Sequence, residues 1–477
     1  MTDGDLKSLI KQFGPPGYEN SDEQLSKINE MFWSAYYTRL KERLIFEPQE
    51  LKYYDYLPTS GNFEPKSADK IRNELCALLL DSSRQWDGWQ ALERFRSARQ
   101  LNGIIEMLRG HIEERDFFGQ DHHYAHLGNC TLNFAADGSG FKIEPFSSTH
   151  RCRNRSPIHY DEKATCPEFE ARILSHVSAD DRLLLQKYAG QCLLGRNLVQ
   201  RFVVLDGVGS ASKSAFVLTI AGVVGLKNVY ELRTAHLHER FEIGRMIDRT
   251  LLIGSDVQGG FLSAPGAYRI KSLVGGDPLE AEKKGSNHRF TIKGRFNLMI
   301  TANTRLCIYL DSDETAWERR LAIVRYNTPF TGQRIFDIDQ YLLSREAPGI
   351  LNWCVKGGKL LFQDYAQAGD IILSPVQQKR VNDLLAESDS LRIFVVNNIV
   401  RDDGKMGSGE SYSLTTQEII DEYVDDCVRD KNWIPASSST VEKRLPALML
   451  RHFGSAKSTT LKRSGKFKRG FWNVRLH

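Results

Sequence analysis

Residues 201–220 read RFVVLDGVGSASKSAFVLTI: an apolar run, a turn of small residues, a lysine and serine pair, and a second apolar run. This order predicts a strand, a tight loop and a helix, the arrangement in which backbone N–H groups bind phosphate. Lys213 would contact the β- and γ-phosphates, and the Ser214 hydroxyl would bind Mg²⁺. The residues predicted to contact the nucleotide are Gly207, Val208, Gly209, Ser210, Ala211, Ser212, Lys213, Ser214 and Ala215.

Ser212 departs from the phosphate-loop pattern GxxxxGK[ST], because it stands where that pattern has its second glycine. A residue with a Cβ at positive φ costs about 1 kcal/mol or more, so we expect weaker nucleotide binding than glycine would allow. The alternative for this stretch alone is an ordinary turn between a strand and a helix.

The apolar runs that follow alternate with helical or loop segments, which is the order of a parallel α/β sheet. RTLLIGSD (249–256) ends in Asp256, the acid that would position Mg²⁺ or the attacking water. FNLMITAN ends at Asn303, whose amide could hold a water beside the γ-phosphate. Only one acid follows the second strand, so either Asp256 serves both purposes or another part of the chain helps. The alternative is a buried strand with a surface aspartate.

Two arginines, Arg319 and Arg320, stand just before the strand-like run LAIVRY. An arginine at such a helix-to-strand junction could reach the nucleotide of a neighbouring subunit and stabilise charge in the transition state. A solvated or salt-bridged arginine pair is the competing interpretation.

Composition and charge limit the class of protein. The chain has 477 residues, 41% hydrophobic and 26% charged, which is typical of a soluble globular protein. Its 64 basic residues nearly balance 60 acidic ones, so net charge decides little about partners. Eight cysteines without a CxxC pair, and no signal-peptide pattern or bilayer-length apolar run, predict a cytoplasmic protein without a membrane anchor.

Changes in pattern along the chain predict four parts. Residues 1–118 carry helical apolar spacing and are expected to be mostly helical, whereas residues 119–195 begin with short strands and continue as helices. The parallel-sheet α/β part spans residues 196–372. Residues 373–477 combine short helices with a terminal hairpin, which suggests a winged-helix-like domain.

The terminal segment GSAKSTTLKRSGKFKRGFWNVRLH (454–477) is basic, carries no acid and has interleaved aromatic residues. Such a hairpin is suited to contacts with nucleic-acid phosphates, although a solvated basic edge strand is the alternative. The residues predicted to bind DNA here are Lys462, Arg463, Lys466, Lys468 and Arg469. Two stretches rich in histidine and cysteine, residues 122–130 and 150–166, lack the spacing of a zinc site and are interpreted as surface or loop segments.

Together, GVGSASKS, LLIGSD, IKSLVGGDPLEAEKK, FNLMITAN, ETAWERRLAIVRYNTPF and REAPGILNW make the chain resemble superfamily 3 DNA helicases of the phage, plasmid and poxvirus primase–helicase family. The resemblance covers about residues 120–360. GGDPLEAEKK and PGILNW are far more specific than the phosphate loop, and residues 119–195 resemble that family's helical leader.

The resemblance implies an α/β fold with an AAA+ type P-loop ATPase core that forms a ring, usually a hexamer, and moves 3′-to-5′ along single-stranded DNA. ATP and Mg²⁺ would be its cofactors, and single-stranded and forked DNA its substrates. Lys213 and Ser214 would bind phosphate and Mg²⁺, Asp256 would be the motif B acid, and Asn303 the polar sensor. Arg320 is the first choice for the trans-acting finger and Arg319 the second. A hairpin carrying Lys283, Lys284 and His288 would contact the DNA backbone.

Residues 1–118 show no acidic strand motif of a primase, so a separate primase or polymerase is the expected partner in replicating a phage, plasmid or other mobile element. The sequence departs from the family at Ser212 and in having Asp256 where many relatives have glutamate. These departures keep a second hypothesis open, a DNA-binding ring or scaffold ATPase deficient in hydrolysis. A third, a remodeller of proteins, is disfavoured by the basic hairpin and tail.

Overall fold

The computed structural model describes residues 3–86, 88–119, 123–209, 212–282, 289–310, 313–329, 331–404, 411–429 and 435–477. Within this part of the chain there are one five-stranded parallel sheet and six small antiparallel sheets of two or three strands. The predicted mixed α/β fold with a parallel sheet is therefore confirmed.

The N-terminal segment mixes helices with strands. Its elements are α1 (Asp3–Phe13), β1 (Gly17–Glu19), β2 (Leu25–Ile28), α2 (Glu30–Arg39), β3 (Leu44–Glu47), β4 (Lys52–Leu57), β5 (Asn62–Lys66), α3 (Ala68–Gln85) and α4 (Ala98–His111). We expected a mostly helical segment, and the five strands are a correction. β4 reads KYYDYL, an aromatic-rich strand that pairs with β3 and β5, and its spacing along the sequence does not by itself separate strand from helix.

The next segment packs on the central domain. It contains β6 (Tyr124–His126), β7 (Thr131–Phe134), β8 (Phe141–Glu144), α5 (Pro167–Phe169) with a π-helical turn at Glu170–Leu174, and α6 (Ala179–Leu193). Leu132 and Phe134 of β7 share one hydrophobic core with α6 and with the central sheet. Residues 119–195 therefore do not form a core of their own.

The central domain is built around the parallel sheet. Its elements are β9 (Phe202–Gly207), α7 (Lys213–Val224), β10 (Val229–Glu231), β11 (Leu251–Val257), α8 (Ile270–Gly275), β12 (Pro278–Glu282), β13 (Arg289–Lys293), β14 (Asn297–Ala302), α9 (Glu314–Glu318), β15 (Leu321–Tyr326) and α10 (Ile338–Ala368). Short 3₁₀ turns lie at Gln90–Phe95, Ser148–His150, Leu226–Asn228, Thr234–His236, Ile243–Met246, Gly259–Leu262 and Ala267–Arg269.

The strand order of this sheet is β10-β11-β14-β9-β15, with every neighbouring pair parallel. The strands are continuous apolar runs because both faces are covered. One face packs against α6, α7 and α10, and the other packs against α8 and the 3₁₀ turns that follow β11. Parallel strands end at a common edge, so the ends of β9, β11 and β14 meet at the carboxyl edge of the sheet.

Helices α6 and α10 approach each other closely on one face of the sheet. Gly190 of α6 lies against Gly357 and Gly358 of α10, and a Cβ added at Gly190 would be 2.0 Å from the Gly358 nitrogen. Nearby, the buried Tyr188 hydroxyl donates to the carbonyl oxygens of Arg201 and Leu298, at 3.1 and 3.0 Å. This contact fixes α6 against β14.

The C-terminal part has two cores. Its elements are α11 (Pro375–Ser388), α12 (Ser390–Asn398), β16 (Ile399–Arg401), β17 (Ser413–Thr415), α13 (Thr416–Arg429), α14 (Ser438–Phe453), β18 (Lys457–Arg463), β19 (Lys466–Trp472) and β20 (Val474–Leu476). Val381 and Leu384 of α11 belong to the core of the central domain, whereas the separate C-terminal core begins at Leu391. The predicted boundary at residue 373 is therefore one helix too early.

Candidate functional site

The candidate site begins where β9 leaves the sheet. Gly207 is the last residue of β9 and has φ 140°, and a Cβ there would be 2.0 Å from the Tyr326 carbonyl oxygen on β15. The same oxygen accepts a hydrogen bond from the Val208 nitrogen at 3.1 Å. Only glycine fits this approach, so the chain turns sharply away from the sheet at residue 207.

Ser212 precedes the first residue of α7 and takes the left-handed conformation, with φ 66° and ψ 13°. Its carbonyl oxygen accepts the first helical hydrogen bond, from the Phe216 nitrogen at 2.9 Å. The positive φ expected at this position is thus observed on a serine, which costs about 1 kcal/mol. Ser210 and Ala211, also predicted to contact nucleotide, lie outside the described residues. We call residues 207–212 the predicted phosphate loop.

Lys213 is the first residue of α7, and its side chain folds back onto the loop. Nζ donates to the carbonyl oxygens of Gly207 and Val208, at 2.8 and 2.6 Å. Burial lowers the pKa of this ammonium, and the carboxylates of Asp206 and Asp256 oppose that shift. An ammonium has three donors, so one of them remains after the two loop carbonyls are satisfied. The Ser214 side chain is exposed beside it, and Ala215 is half-buried.

Asp256 and Asn303 meet at the carboxyl edge of the sheet. Asp256 lies in β11 with φ 46°, and its backbone nitrogen donates to the Thr301 hydroxyl on β14 at 2.7 Å. The Asn303 amide donates to the Asp256 carboxylate. Both side chains are exposed. Ala302 pairs with Asp206 on β9 and with Val257 on β11, so Asp256 lies at the same edge of the sheet as the start of the predicted phosphate loop.

Two further carboxylates at this edge escaped the sequence analysis. Glu231, the last residue of β10, accepts hydrogen bonds from the Ser255 nitrogen and hydroxyl, at 3.0 and 3.1 Å. Asp206 at the end of β9 accepts from Arg305 at 3.2 Å and Arg325 at 3.1 Å. The sequence signal that could have identified Glu231 is an acid at the end of an apolar strand. That signal is weak because β10 has only three residues, and its pairing with β11 is a tertiary contact that the sequence pattern does not show.

The structure corrects the finger assignment. Arg320 is 6% exposed, and it donates to the carbonyl oxygens of Lys271 and Ala316, both at 3.0 Å. Burial lowers the pKa of its guanidinium. It also precedes β15 at the amino edge of the sheet, opposite the predicted phosphate loop. A buried arginine bound by its own chain cannot extend into a neighbour, whereas Arg319 beside it is exposed.

The hairpin expected to contact DNA is formed at its base by β12 and β13, which pair antiparallel from Pro278↔Lys293 to Glu282↔Arg289. Lys283, Lys284 and His288 lie outside the described residues. The strands project from the amino edge of the sheet, since β14 begins soon after β13 ends.

The C-terminal hairpin β18–β19 carries most of the predicted DNA-binding residues on its outer half. β17 pairs only with residues 470–472 of β19, so in the described part of the chain residues 466–468 pair with β18 alone, and Arg469 lies where the β18–β19 register is irregular. The exposed cations of this half are Lys462, Lys466, Lys468 and Arg469. Lys462 lies over the exposed Phe467 ring, 5.5 Å from its centroid. We call the β18–β19 hairpin, including these side chains, the basic wing.

Arg463 differs from the rest of the wing. Its guanidinium donates to the Glu418 carboxylate at 2.9 Å and to the Ser413 carbonyl oxygen at 2.7 Å. Burial raises the pKa of Glu418, but the hydrogen bonds and charge of Arg463 together with the hydrogen bonds from Thr415 outweigh it and hold the pKa below its usual value. Arg463 therefore fixes the wing to α13, and its contact with DNA stays a prediction.

The histidine- and cysteine-rich stretches are not surface segments throughout. Cys130, Cys152, Cys166 and His150 are buried, because β6–β8 and the following turns pack into the protein. His122 lies outside the described residues. All eight cysteines are free thiols. In the described ranges, no three His, Cys, Asp or Glu side chains are grouped to hold a metal ion. Nor does any helix described there have the length and apolar character needed to cross a bilayer.

Comparisons with known proteins give one partial family match. A family of unknown function, DUF5906, matches residues 205–320, from within β9 to the end of the α9–β15 connection. No curated protein matches the chain. The apo structure of NrS-1 C terminal region (305-718) is similar at 11% identity, with 94% of this chain and 99% of that chain covered and a TM-score of 0.49. The A form apo structure of NrS-1 C terminal region-CTR is similar at 9% identity, covers 93% of this chain and 99% of that one, and has a TM-score of 0.43.

Proposed function

We propose that this chain is an ATP-dependent DNA helicase with an AAA+ type P-loop ATPase core, which assembles as a ring and translocates 3′-to-5′ on single-stranded DNA. One observation carries the proposal: Lys213, Asp256 and Asn303, far apart in sequence, converge at the carboxyl edge of the parallel sheet beside a strand–loop–helix turn. That edge is where open α/β sheets bind ligands.

The loop and its lysine supply the phosphate-binding part of the proposed site. Two of the three Lys213 donors are bound by the carbonyl oxygens of Gly207 and Val208. We assign the third donor to a phosphate oxygen of the nucleotide. The start of α7 adds the positive end of a helix dipole. Ser212 lowers affinity through its positive φ but does not block the turn.

The donor set fits Mg²⁺. Hydroxyl and carboxylate oxygens are the ligands this ion prefers, and it is held mostly by substrate phosphates and waters, so a few protein oxygens suffice. Ser214 and Asp256 would hold Mg²⁺, and the ion would neutralise charge on the phosphate oxygens. Glu231 gives the site its second acid, one strand from Asp256, and is the residue proposed to orient and deprotonate water. Asn303 fixes the Asp256 carboxylate.

The basic wing is proposed to bind the DNA backbone. Its outer half extends beyond the strand that anchors it and carries exposed cations and one exposed aromatic ring, a combination that suits phosphate contact with base stacking. The hairpin at β12–β13 would contribute Lys283, Lys284 and His288 from the channel side of a ring. We assign the trans-acting role to the exposed Arg319 instead of Arg320: Arg319 would reach the nucleotide bound by a neighbouring subunit.

A specific observation favours the second candidate, a ring or scaffold ATPase that hydrolyses poorly. Asn303 donates a hydrogen bond to the Asp256 carboxylate, and Ser255 donates two to the Glu231 carboxylate. Both acids of the site therefore have hydrogen-bond partners within the protein. In this candidate nucleotide binding would organise the ring, and DNA would be held without unwinding.

ATP turnover and unwinding of forked DNA separate the two candidates. The helicase proposal expects turnover that rises with single-stranded DNA, and strand separation only when a 3′ tail is present. Lys227→Ala is a matched control for Lys213→Ala, because Lys227 is an exposed lysine just beyond the end of α7. ATP binding without turnover, with DNA bound, would replace the helicase by the scaffold.

A further inference from the structure

A cavity of about 360 Å³ lies at the amino edge of the parallel sheet. Thr250 and Phe296, which directly precede β11 and β14, both line it. β11 separates Thr250 from Asp256 by about 20 Å at roughly 3.3 Å per residue. This amino-edge cavity is therefore distinct from the candidate site at the carboxyl edge, and its volume is in the range of small-molecule sites.

Three parts of the chain converge on the amino-edge cavity. The N-terminal segment contributes residues 47, 49, 50, 116, 118 and 119, and the segment before α5 contributes residues 151–154. The central domain contributes the amino edge and residues 291–293 of β13, the strand that returns from the hairpin. A ligand in the cavity would thus contact both the N-terminal segment and the base of the hairpin.

The lining carries a surplus of positive charge. Three carboxylates line the cavity, those of Glu47, Glu50 and Asp116. Twice as many cationic side chains do so: Arg151, Arg153, Arg196, Arg249, Lys293 and Arg295. Arginine predominates, and its planar guanidinium binds phosphate oxygens in a bidentate manner.

The carboxylates of the lining are already engaged with the protein. Glu50 pairs with Arg153, which also donates to the Ile247 carbonyl oxygen at 3.0 Å. The buried Glu47 accepts from the Phe117 nitrogen at 2.9 Å, and Asp116 lies 3.6 Å from the Lys293 ammonium. With three carboxylates against six cations, the lining as a whole favours an anion.

Some buried polar atoms of the lining have no hydrogen-bond partner in the described part of the chain, among them one hydroxyl and one ring nitrogen. Thr250 is 6% exposed and its hydroxyl is unsatisfied, and His150 is 7% exposed with Nδ1 unsatisfied. The other nitrogen of His150 lies 3.1 Å from the Glu144 carboxylate. Buried groups of this kind are costly, and a ligand or an ordered water commonly satisfies them.

Aromatic rings lie beside the cations. Phe118 and Tyr124 are half-buried, and Phe296 lies at the base of β14. The Arg153 guanidinium stacks on the Phe118 ring, 4.4 Å from its centroid, which holds that ring in place. Rings next to arginines form the combination that binds a base and its phosphate together.

We propose that the amino-edge cavity binds a nucleotide unit, with arginines on its phosphate and aromatic rings against its base. The unit comes either from a free nucleotide or from a single strand of nucleic acid. A nucleotide unit from either source would contact residues 291–293 of β13, at the base of the hairpin. The proposal does not depend on ATP hydrolysis, since it concerns the opposite edge of the sheet.

The test uses the 477-residue chain carrying Lys213→Ala, Lys466→Gln and Lys468→Gln, so that the predicted phosphate loop and the basic wing contribute little. Calorimetry with thymidine monophosphate and with oligothymidylate should detect binding of at least one probe. Replacing Arg151 and Arg196 by glutamine in this background should weaken that binding at least tenfold. Glutamine at Arg94 and Arg99, exposed arginines of the N-terminal segment away from the cavity, removes the same charge and should leave binding unchanged.

The two probes distinguish the sources, because binding of the monophosphate indicates a free nucleotide, and binding of the oligomer alone indicates a nucleic-acid strand. The proposal is overturned if neither probe binds or if the cavity variant binds as tightly as its control. Should that variant fail to fold, photocrosslinking of wild-type protein with 5-iodouracil forms of both probes decides the matter. A crosslinked peptide containing Phe118 or Tyr124 is expected, and crosslinks confined to other peptides overturn the proposal.

Discussion

The two edges of the parallel sheet hold their polar and charged side chains in different ways. At the carboxyl edge, Asp256, Asn303 and Glu231 are exposed; Asn303 donates to Asp256, and Glu231 accepts from Ser255 of β11. At the amino edge, Arg320 is buried under α8 and α9, and its hydrogen bonds within the described ranges go to backbone carbonyls. One edge thus offers polar groups to a ligand, and the other uses an arginine to close the fold.

The difference follows from how the strands are connected. Chains leave a parallel sheet at the carboxyl edge through loops that need no apolar packing, so polar groups there stay accessible. At the amino edge the chain enters from helices that must pack, and a charge there must be paired or hydrogen-bonded. The amino-edge cavity is a local exception, where three segments meet without filling the space.

The largest effect should come from Lys213→Ala. Because Nζ both ties down the predicted phosphate loop and supplies a donor to phosphate, ATP turnover should fall by about 100-fold or more. The unfolding midpoint should change little, because Gly207 is half-buried and Val208 exposed, so water can hydrogen-bond their carbonyl oxygens once Nζ is removed. Lys227→Ala should retain turnover. Steady-state ATPase assays with thermal melting test this. Turnover close to wild type in the Lys213 variant would show that the carboxyl edge is not the nucleotide site.

Arg320→Ala should reduce stability. It leaves the Lys271 and Ala316 carbonyl oxygens without their donor, a loss of about 2 to 3 kcal/mol in the free energy of unfolding. Arg319→Ala is the matched control, since Arg319 is exposed and its loss should cost less than about 0.5 kcal/mol. Urea denaturation of both variants gives the comparison.

The same pair tests the trans-acting role. If Arg319 reaches a neighbouring subunit, Arg319→Ala should lose turnover while staying folded, and mixing it with Lys213→Ala subunits should restore part of the activity. Native mass spectrometry must first show mixed rings. If mixed rings form but turnover is not recovered, Arg319 does not stabilise the transition state at a neighbouring subunit.

A smaller effect is expected from Glu231→Gln. The change keeps a hydrogen-bonding side chain opposite Ser255 but removes the charge, so nucleotide binding should persist while turnover falls by about 100-fold, the lower end of what a general base contributes. Glu422→Gln is the matched control, because Glu422 is an exposed acid on α13, in the C-terminal part of the chain. Equal turnover in the Glu231 variant and wild type would show that Glu231 does not take part in hydrolysis, with Asp256 as the one acid assigned to the site.

Sequence alone predicted the carboxyl edge better than the amino edge. Lys213, Asp256 and the conformation of Ser212 follow from a local order of strand, loop and helix, which a short stretch suffices to specify. The burial of Arg320 depends on the Lys271 carbonyl, and the position of Glu231 depends on the register of β10 against β11. Contacts between distant segments of this kind leave no periodicity in the sequence.

The smallest predicted effect concerns the basic wing, where exposed and paired cations can be compared within one hairpin. Lys466 and Lys468 are exposed, and each phosphate contact on a single strand contributes about 0.7 to the slope of log affinity against log salt. Replacing both by glutamine should therefore make that slope shallower by roughly 1.4 and weaken binding several-fold at low salt. Fluorescence anisotropy with oligothymidylate over a salt series measures it.

Arg463→Gln removes one charge from the same hairpin, but that charge is paired with Glu418 and hydrogen-bonded to the Ser413 carbonyl oxygen. The salt slope should then stay as in the wild type while the wing becomes less stable, because the effect of Arg463 is on the attachment of the hairpin to α13. If Arg463→Gln lowers the slope and the lysine pair does not, the paired cation makes the DNA contact, and the division between exposed and paired cations is wrong.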